Sequence, residues 1–89
     1  MPKKSRVEYF KENFGNFSIP IPWDCYVAVL ERCYGFEMSN SPGGGSARIF
    51  VCEEIRFIAH EPHGRDDMVS KWDRKRAIEA IERMKGEKS

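Results

Sequence analysis

The chain lacks the features that mark a disulfide-stabilised or membrane-bound protein. Its three cysteines are Cys25, Cys33 and Cys52, an odd number with no C-x-x-C pair among them. This pattern argues against a disulfide framework and fits reduced thiols in the cytoplasm. No apolar run approaches the length that crosses a membrane, and no hydrophobic signal segment follows the basic start. We therefore expect a cytoplasmic protein without a membrane partner.

The sequence also has little net charge, because 15 Lys and Arg residues are nearly balanced by 14 Asp and Glu residues. The resulting net charge of +1 does not by itself indicate a nucleic-acid binder, although a local basic patch is enough to contact phosphate. Hydrophobic residues make up 40% of the 89 residues, which argues against disorder and suffices for a modest core. We therefore predict one domain over residues 1–89.

Hydrophobic spacing predicts three helices. Apolar residues at three- and four-residue steps indicate a short helix over residues 5–14 and a second helix over residues 23–34. Gly35 follows the second helix, where a glycine in the left-handed conformation commonly ends a helix. The last helix begins near Ser70, because Ser70 and Asp73 have the spacing of a capping box with Asp in place of Glu.

Three strands are predicted between the second and the last helix. Short runs rich in Ile, Val and Phe lie within residues 36–41, 47–52 and 54–60. Glu53 and Glu54 are poor residues for a tight hairpin turn, so the register of the last two strands stays open. Helices that flank a small antiparallel sheet bury one of its faces, which predicts a two-layer α+β domain.

The glycine run Gly43-Gly44-Gly45 invites comparison with a phosphate-binding loop. Such a loop follows a strand, precedes a helix and ends in Gly-Lys-Ser or Gly-Lys-Thr. Here a strand follows the glycines, and Ser46 and Ala47 stand where that ending would be. The run is better interpreted as a hairpin loop that uses glycine at positive φ.

Histidine is scarce, and the only two, His60 and His63, lie three residues apart. A zinc site needs at least one further ligand, for which Glu61, Asp66, Asp67 and the cysteines are the candidates. A histidine at a sheet edge is also a candidate general acid or base, since its ordinary pKa lies near neutrality. From these residues alone, two exposed histidines after a strand end are the simpler interpretation.

A local basic cluster surrounds Trp72. Bases stack on aromatic rings and cations contact phosphates, so this combination suits single-stranded or A-form RNA. Nearby aspartates reduce the positive field, and a solvated helix face is the commoner meaning of such a run. The cations of the cluster are Arg65, Lys71, Arg74, Lys75 and Arg76.

The order of these pieces resembles the HicA toxin family, also called YcfA-like proteins. The resemblance covers roughly residues 20–85 and is carried by three motifs in sequence order. These are the helix ending "ERCYGFEM" over residues 31–38, the "GGS" of residues 44–46 and the "PHG" of residues 62–64. The family resemblance implies a fold like a double-stranded-RNA-binding domain. It also implies a ribonuclease that cleaves messenger RNA and is neutralised by a HicB antitoxin.

The chain departs from this family at one important position. Family members typically carry Gly-Ser-His at the start of the second strand, and that histidine is the catalytic one. Here Gly45 and Ser46 match, but Ala47 follows, and alanine cannot transfer a proton. His63 matches the histidine of the family's later His-Pro or Pro-His element, so it is the candidate to serve as the catalytic histidine instead. The other interpretation is a divergent member in which the fold persists and catalysis is lost or altered.

The resemblance and the basic cluster together give the expected site. His63 and His60 are the candidate acid and base of a metal-independent endoribonuclease that needs no cofactor, and Arg48 is a candidate for stabilising the transition state. The expected partners are messenger RNA and a HicB-like antitoxin. The alternatives are a non-catalytic RNA- or protein-binding module and a small adaptor protein. The residues expected to contact RNA are Gly45, Ser46, Arg48, Arg65, Lys71, Arg74 and Lys75.

Overall fold

The computed structural model describes residues 5–62 and 68–87 and forms an α+β domain with a three-stranded antiparallel sheet. This confirms the predicted fold class at that level. The second helix continues after Ala28 as a π-helical turn over Val29–Cys33, which the sequence pattern did not predict. The elements in chain order are α1 (Arg6–Glu12), α2 (Trp23–Ala28), β1 (Glu37–Asn40), β2 (Ala47–Cys52), β3 (Ile55–His60) and α3 (Lys71–Glu87).

The sheet has the order β1-β2-β3 and two unlike faces. On the buried face, Phe50 of β2 lies opposite Phe57 of β3, and their rings stack with centroids 5.1 Å apart. On the other face, the large side chain of Ile58 is exposed. Since side chains alternate along a strand, one face of the sheet packs on the helices and the other stays open.

Tyr26 joins the second helix to the last one. Its side chain is completely buried, and its hydroxyl donates a hydrogen bond of 2.8 Å to the backbone oxygen of Asp73. Its ring stacks on Phe14 and Trp23 and meets Phe50 edge-on. Burial raises the pKa of the Tyr26 hydroxyl far above its ordinary value, and the charge of Asp73 adds to this shift. The hydroxyl therefore acts as a permanent donor that fixes the start of α3.

Local signals in the sequence located the ends of these elements well. Gly35 has a φ of +77°, which confirms the predicted left-handed residue after the second helix. Gly44 and Gly45 have φ values of +77° and +76°, as predicted for a glycine loop before β2. Ser70 caps α3, because its hydroxyl accepts a hydrogen bond of 3.2 Å from the backbone N–H of Asp73.

Arg74 lies inside the molecule and not on its surface. Only 3% of this residue is exposed, and its guanidinium donates hydrogen bonds of 2.7–3.0 Å to four backbone carbonyls. This placement corrects the expectation that Arg74 contacts RNA, because the residue is buried and both terminal nitrogens of its guanidinium already donate to protein oxygens. The arginine ties α3 to the connection between α1 and α2. The four carbonyls belong to Asn13, Phe14, Asn16 and Ile19.

Candidate functional site

A groove of about 460 Å³ opens where β3 ends and α3 begins. It lies at the same end of the sheet as the glycine loop, because the backbone N–H of Glu61 donates a hydrogen bond of 2.9 Å to the oxygen of Ser46. Its walls combine titratable, cationic and apolar side chains, which is the usual composition of a ligand site. The residues that line it are His60, Glu61, Pro62, Met68, Ser70, Trp72, Asp73 and Arg76.

Asp73 is the central residue of this groove. Only 4% of it is exposed, so its carboxylate would be costly without partners. Its Oδ2 accepts hydrogen bonds from the Ser70 hydroxyl at 3.0 Å and from the backbone N–H of His60 at 3.2 Å. The carboxylate therefore does more than complete a capping box, because it also holds the end of β3 against the start of α3.

The second oxygen of Asp73 faces two side chains that are open to solvent. Its Oδ1 lies 3.7 Å from Nδ1 of His60 and 3.6 Å from a terminal nitrogen of Arg76. The side chains of His60 and Arg76 are 55% and 52% exposed, whereas the Asp73 carboxylate is buried. At 3.7 Å the contact between Asp73 and Nδ1 of His60 is electrostatic and not a hydrogen bond, and it leaves the exposed imidazole accessible to a ligand in the groove.

His60 also has Ala47 of the neighbouring strand β2 as a partner in the sheet. In the register of β2 and β3, His60 lies directly opposite Ala47. Residues opposite each other on antiparallel strands carry side chains on the same face, with Cβ atoms about 4.5–5.5 Å apart. The side chain of His60 is therefore a direct cross-strand neighbour of the position at which the resembling family carries histidine.

Arg48 is held by the protein at the edge of this region. Its Nε lies 3.4 Å from Oε1 of Glu61, and a terminal nitrogen donates hydrogen bonds of 2.8 and 3.0 Å to the oxygens of Gly45 and Ala47. Arg48 therefore connects the glycine loop to the residue that follows β3. Arg48, Gly45 and Ser46 do not line the groove.

The two lysines predicted to contact RNA, Lys71 and Lys75, lie on the first turns of α3, where they contact aromatic rings. The ammonium of Lys75 lies 5.0 Å from the centre of the Trp72 ring, and that of Lys71 lies 5.7 Å from the ring of Phe17. Lys71 is exposed and Lys75 is partly exposed. Neither lysine lines the groove, but Lys75 lies against Trp72, which does. Lys71 and Lys75 thus remain candidates for phosphate contact, unlike Arg74.

Sequence reasoning did not single out Asp73 and Arg76 as site residues. In the sequence, Asp73 has only the spacing of a helix cap, and Arg76 is one of several neighbouring cations. His63 and Arg65 fall outside the residues that the structure describes. Within residues 5–62 and 68–87, no three His, Cys, Asp or Glu side chains are grouped closely enough to hold a metal ion. In the same part of the chain, none of the helices has the length and hydrophobicity of a membrane span.

The chain matches no protein-family model, no curated protein and no solved structure. The side chains of the groove are therefore the basis for its proposed chemistry.

Proposed function

We propose that the chain is a HicA-like toxin that binds messenger RNA in the groove between β3 and α3 and cleaves it with His60. One observation carries this proposal. The imidazole of His60 lies across the strand pair from Ala47 and is backed by the carboxylate of Asp73. Where the resembling family carries a histidine, this chain carries Ala47, and His60 stands opposite that place on the next strand.

The proposed reaction is an attack by the ribose 2′-hydroxyl on the adjacent phosphorus. Nε2 of His60 accepts the proton of the 2′-hydroxyl while the new bond between the 2′-oxygen and phosphorus forms. The bond between phosphorus and the 5′-oxygen then breaks, which leaves a 2′,3′-cyclic phosphate on one product. The departing 5′-oxygen takes up a proton, for which His63 is the candidate donor and water the alternative.

Charged neighbours have defined parts in this proposal. Arg76 is half exposed beside His60, so its guanidinium is available to the phosphate oxygens that gain negative charge in the transition state. Asp73 is a positioning residue, because it faces Nδ1 of His60 and stays buried. Lys71 and Lys75 contact neighbouring phosphates, which steers the RNA without reading its sequence.

The architecture is compatible with the same proposal. From α2 to α3 the chain runs helix, three antiparallel strands, helix, which is the order expected for a domain like the double-stranded-RNA-binding domain. As the HicA resemblance implies, the inhibitory partner is a HicB-like antitoxin, which we expect to cover the groove.

Expression in bacterial cells tests this function. Inducing the wild-type chain is expected to stop growth and deplete messenger RNA, whereas His60→Ala, produced to the same level, is expected to do neither. The His63→Ala variant separates the two histidines, because it retains part of the toxicity if water replaces His63 as the acid. Equal toxicity of wild type and His60→Ala would overturn the assignment of His60.

The second candidate function is a non-catalytic RNA-binding module. The exposed Trp72 and the cations at the rim favour it, because they suit RNA binding whether or not His60 transfers protons. A harmless wild-type chain whose affinity for RNA falls steeply with added salt would support this candidate over the toxin.

A further inference from the structure

Trp72 is the most exposed large hydrophobic residue among those that the structure describes. It is 69% exposed, although it stands directly before the buried residues Asp73 and Arg74. Its position on the outer side of α3 means that the core gains little from its ring. A single exposed hydrophobic residue is common, but Trp72 lines one groove together with the apolar side chains of Pro62 and Met68, and grouped apolar surface marks contact sites.

The neighbours of Trp72 combine apolar surface with positive charge. Met68 and Pro62 line the same groove, and 42% of Met68 is exposed. The ammonium of Lys75 lies 5.0 Å from the centre of the Trp72 ring, an attraction that restricts the ring's rotation. Arg76 lies on the next position of α3 and also lines the groove. An aromatic plane and cations at this spacing match a nucleobase and its phosphates.

We infer that Trp72 is a stacking platform for one unpaired nucleobase, with the adjoining phosphate held by Lys75 and Arg76. This inference rests on the proposed RNA binding and narrows it to single-stranded RNA. Within a duplex, both faces of a base are covered by its stacked neighbours, so only an unpaired base can lie on the tryptophan. The groove volume of about 460 Å³ falls within the usual range of ligand pockets and accommodates one nucleotide.

Binding of a short 2′-O-methyl oligouridine tests this inference, because blocking the 2′-oxygen prevents cleavage. Trp72→Ala is expected to weaken its affinity by roughly 5- to 150-fold, as found when stacking on one aromatic ring is lost. Trp72→Phe is expected to restore most of the affinity, since it keeps an aromatic plane. Tyr9→Ala is the matched control, because Tyr9 is an exposed aromatic residue of α1 that does not line the groove.

Two further measurements distinguish this inference from the proposed catalysis. The same strand annealed to its complement is expected to bind more weakly. Oligouridine is expected to quench the tryptophan fluorescence of the wild type but not that of Trp72→Ala, in which Trp23 is the remaining tryptophan. Affinity of Trp72→Ala within twofold of wild type, or equal affinity for the duplex, would overturn the inference even if the wild type cleaves RNA. If RNA binding depends on Trp72 but the protein cleaves no RNA, the stacking inference is supported and the proposed ribonuclease activity is overturned. If the protein binds no RNA at all, both the stacking inference and the proposed function are overturned.

Discussion

Replacing Arg74 by methionine is expected to lower the free energy of unfolding by about 3 kcal/mol or more. The guanidinium donates hydrogen bonds to four backbone carbonyls, and the residue is 3% exposed. Methionine fills much of the space of the arginine stem but donates nothing, so one buried and three partly buried carbonyls lose this partner. Burying the charge is itself costly, which is why the expected loss is smaller than the sum of four charged hydrogen bonds. For a domain of this size, such a loss lowers the melting temperature by roughly 12–24 °C.

The matched control is Arg83→Met, which changes an exposed arginine on the same helix. We expect this control to shift stability by less than about 0.5 kcal/mol, because exposed positions tolerate substitution. Urea denaturation followed by circular dichroism measures both variants. If Arg74→Met were no less stable than Arg83→Met, Arg74 would not be the tie between α3 and the N-terminal segment.

Replacing His60 by glutamine is expected to slow cleavage of single-stranded RNA by at least roughly 100-fold. Glutamine keeps a polar side chain of similar length but cannot accept a proton near neutral pH. Because the His60 side chain is more than half exposed, the fold and its stability should change little. The measurement is the cleavage rate of a labelled oligonucleotide by purified protein, with product ends tested for a 2′,3′-cyclic phosphate.

Glu54→Gln is the control for this experiment. Glu54 is exposed in the turn that precedes β3, at the opposite end of the strand from His60. Its substitution removes one charge and should leave the rate unchanged. A His60→Gln protein that cleaves within threefold of wild type would show that another group takes the proton.

Much of the fold could be predicted because its signals are local. The apolar spacing of α2, the left-handed glycine at Gly35 and the Ser70 cap each involve residues a few positions apart. Local sequence preferences fix such features before any distant contact forms. The α+β class follows from the order of these elements.

The role of Arg74 could not be predicted, because its partners are distant in the sequence. The carbonyls that it binds lie 55 to 61 residues earlier in the chain. In sequence, Arg74 is indistinguishable from the solvated cations beside it on α3. Only the packing of the N-terminal segment against α3 brings the four carbonyls to one side chain.

The proximity of His60 to Ala47 depended on strand register, which the sequence left open. The turn between β2 and β3 contains Glu53 at a φ of +56°, a conformation that non-glycine residues rarely adopt. Nothing in the local chemistry predicts this turn, and a shift of one residue would move His60 to the other face. The Asp73 carboxylate was foreseen as a cap, but its contact with His60 follows from the same register.

The most direct test of the central claim is an NMR titration that locates RNA on the protein. A non-cleavable 2′-O-methyl oligouridine is added to isotope-labelled wild type while the histidine ring and backbone amide signals are followed. We predict that the largest changes fall on the His60 ring and on amides of residues 59–61 and 68–76, which flank the groove. Changes confined to β1 and the middle of β2, or no changes at all, would contradict it.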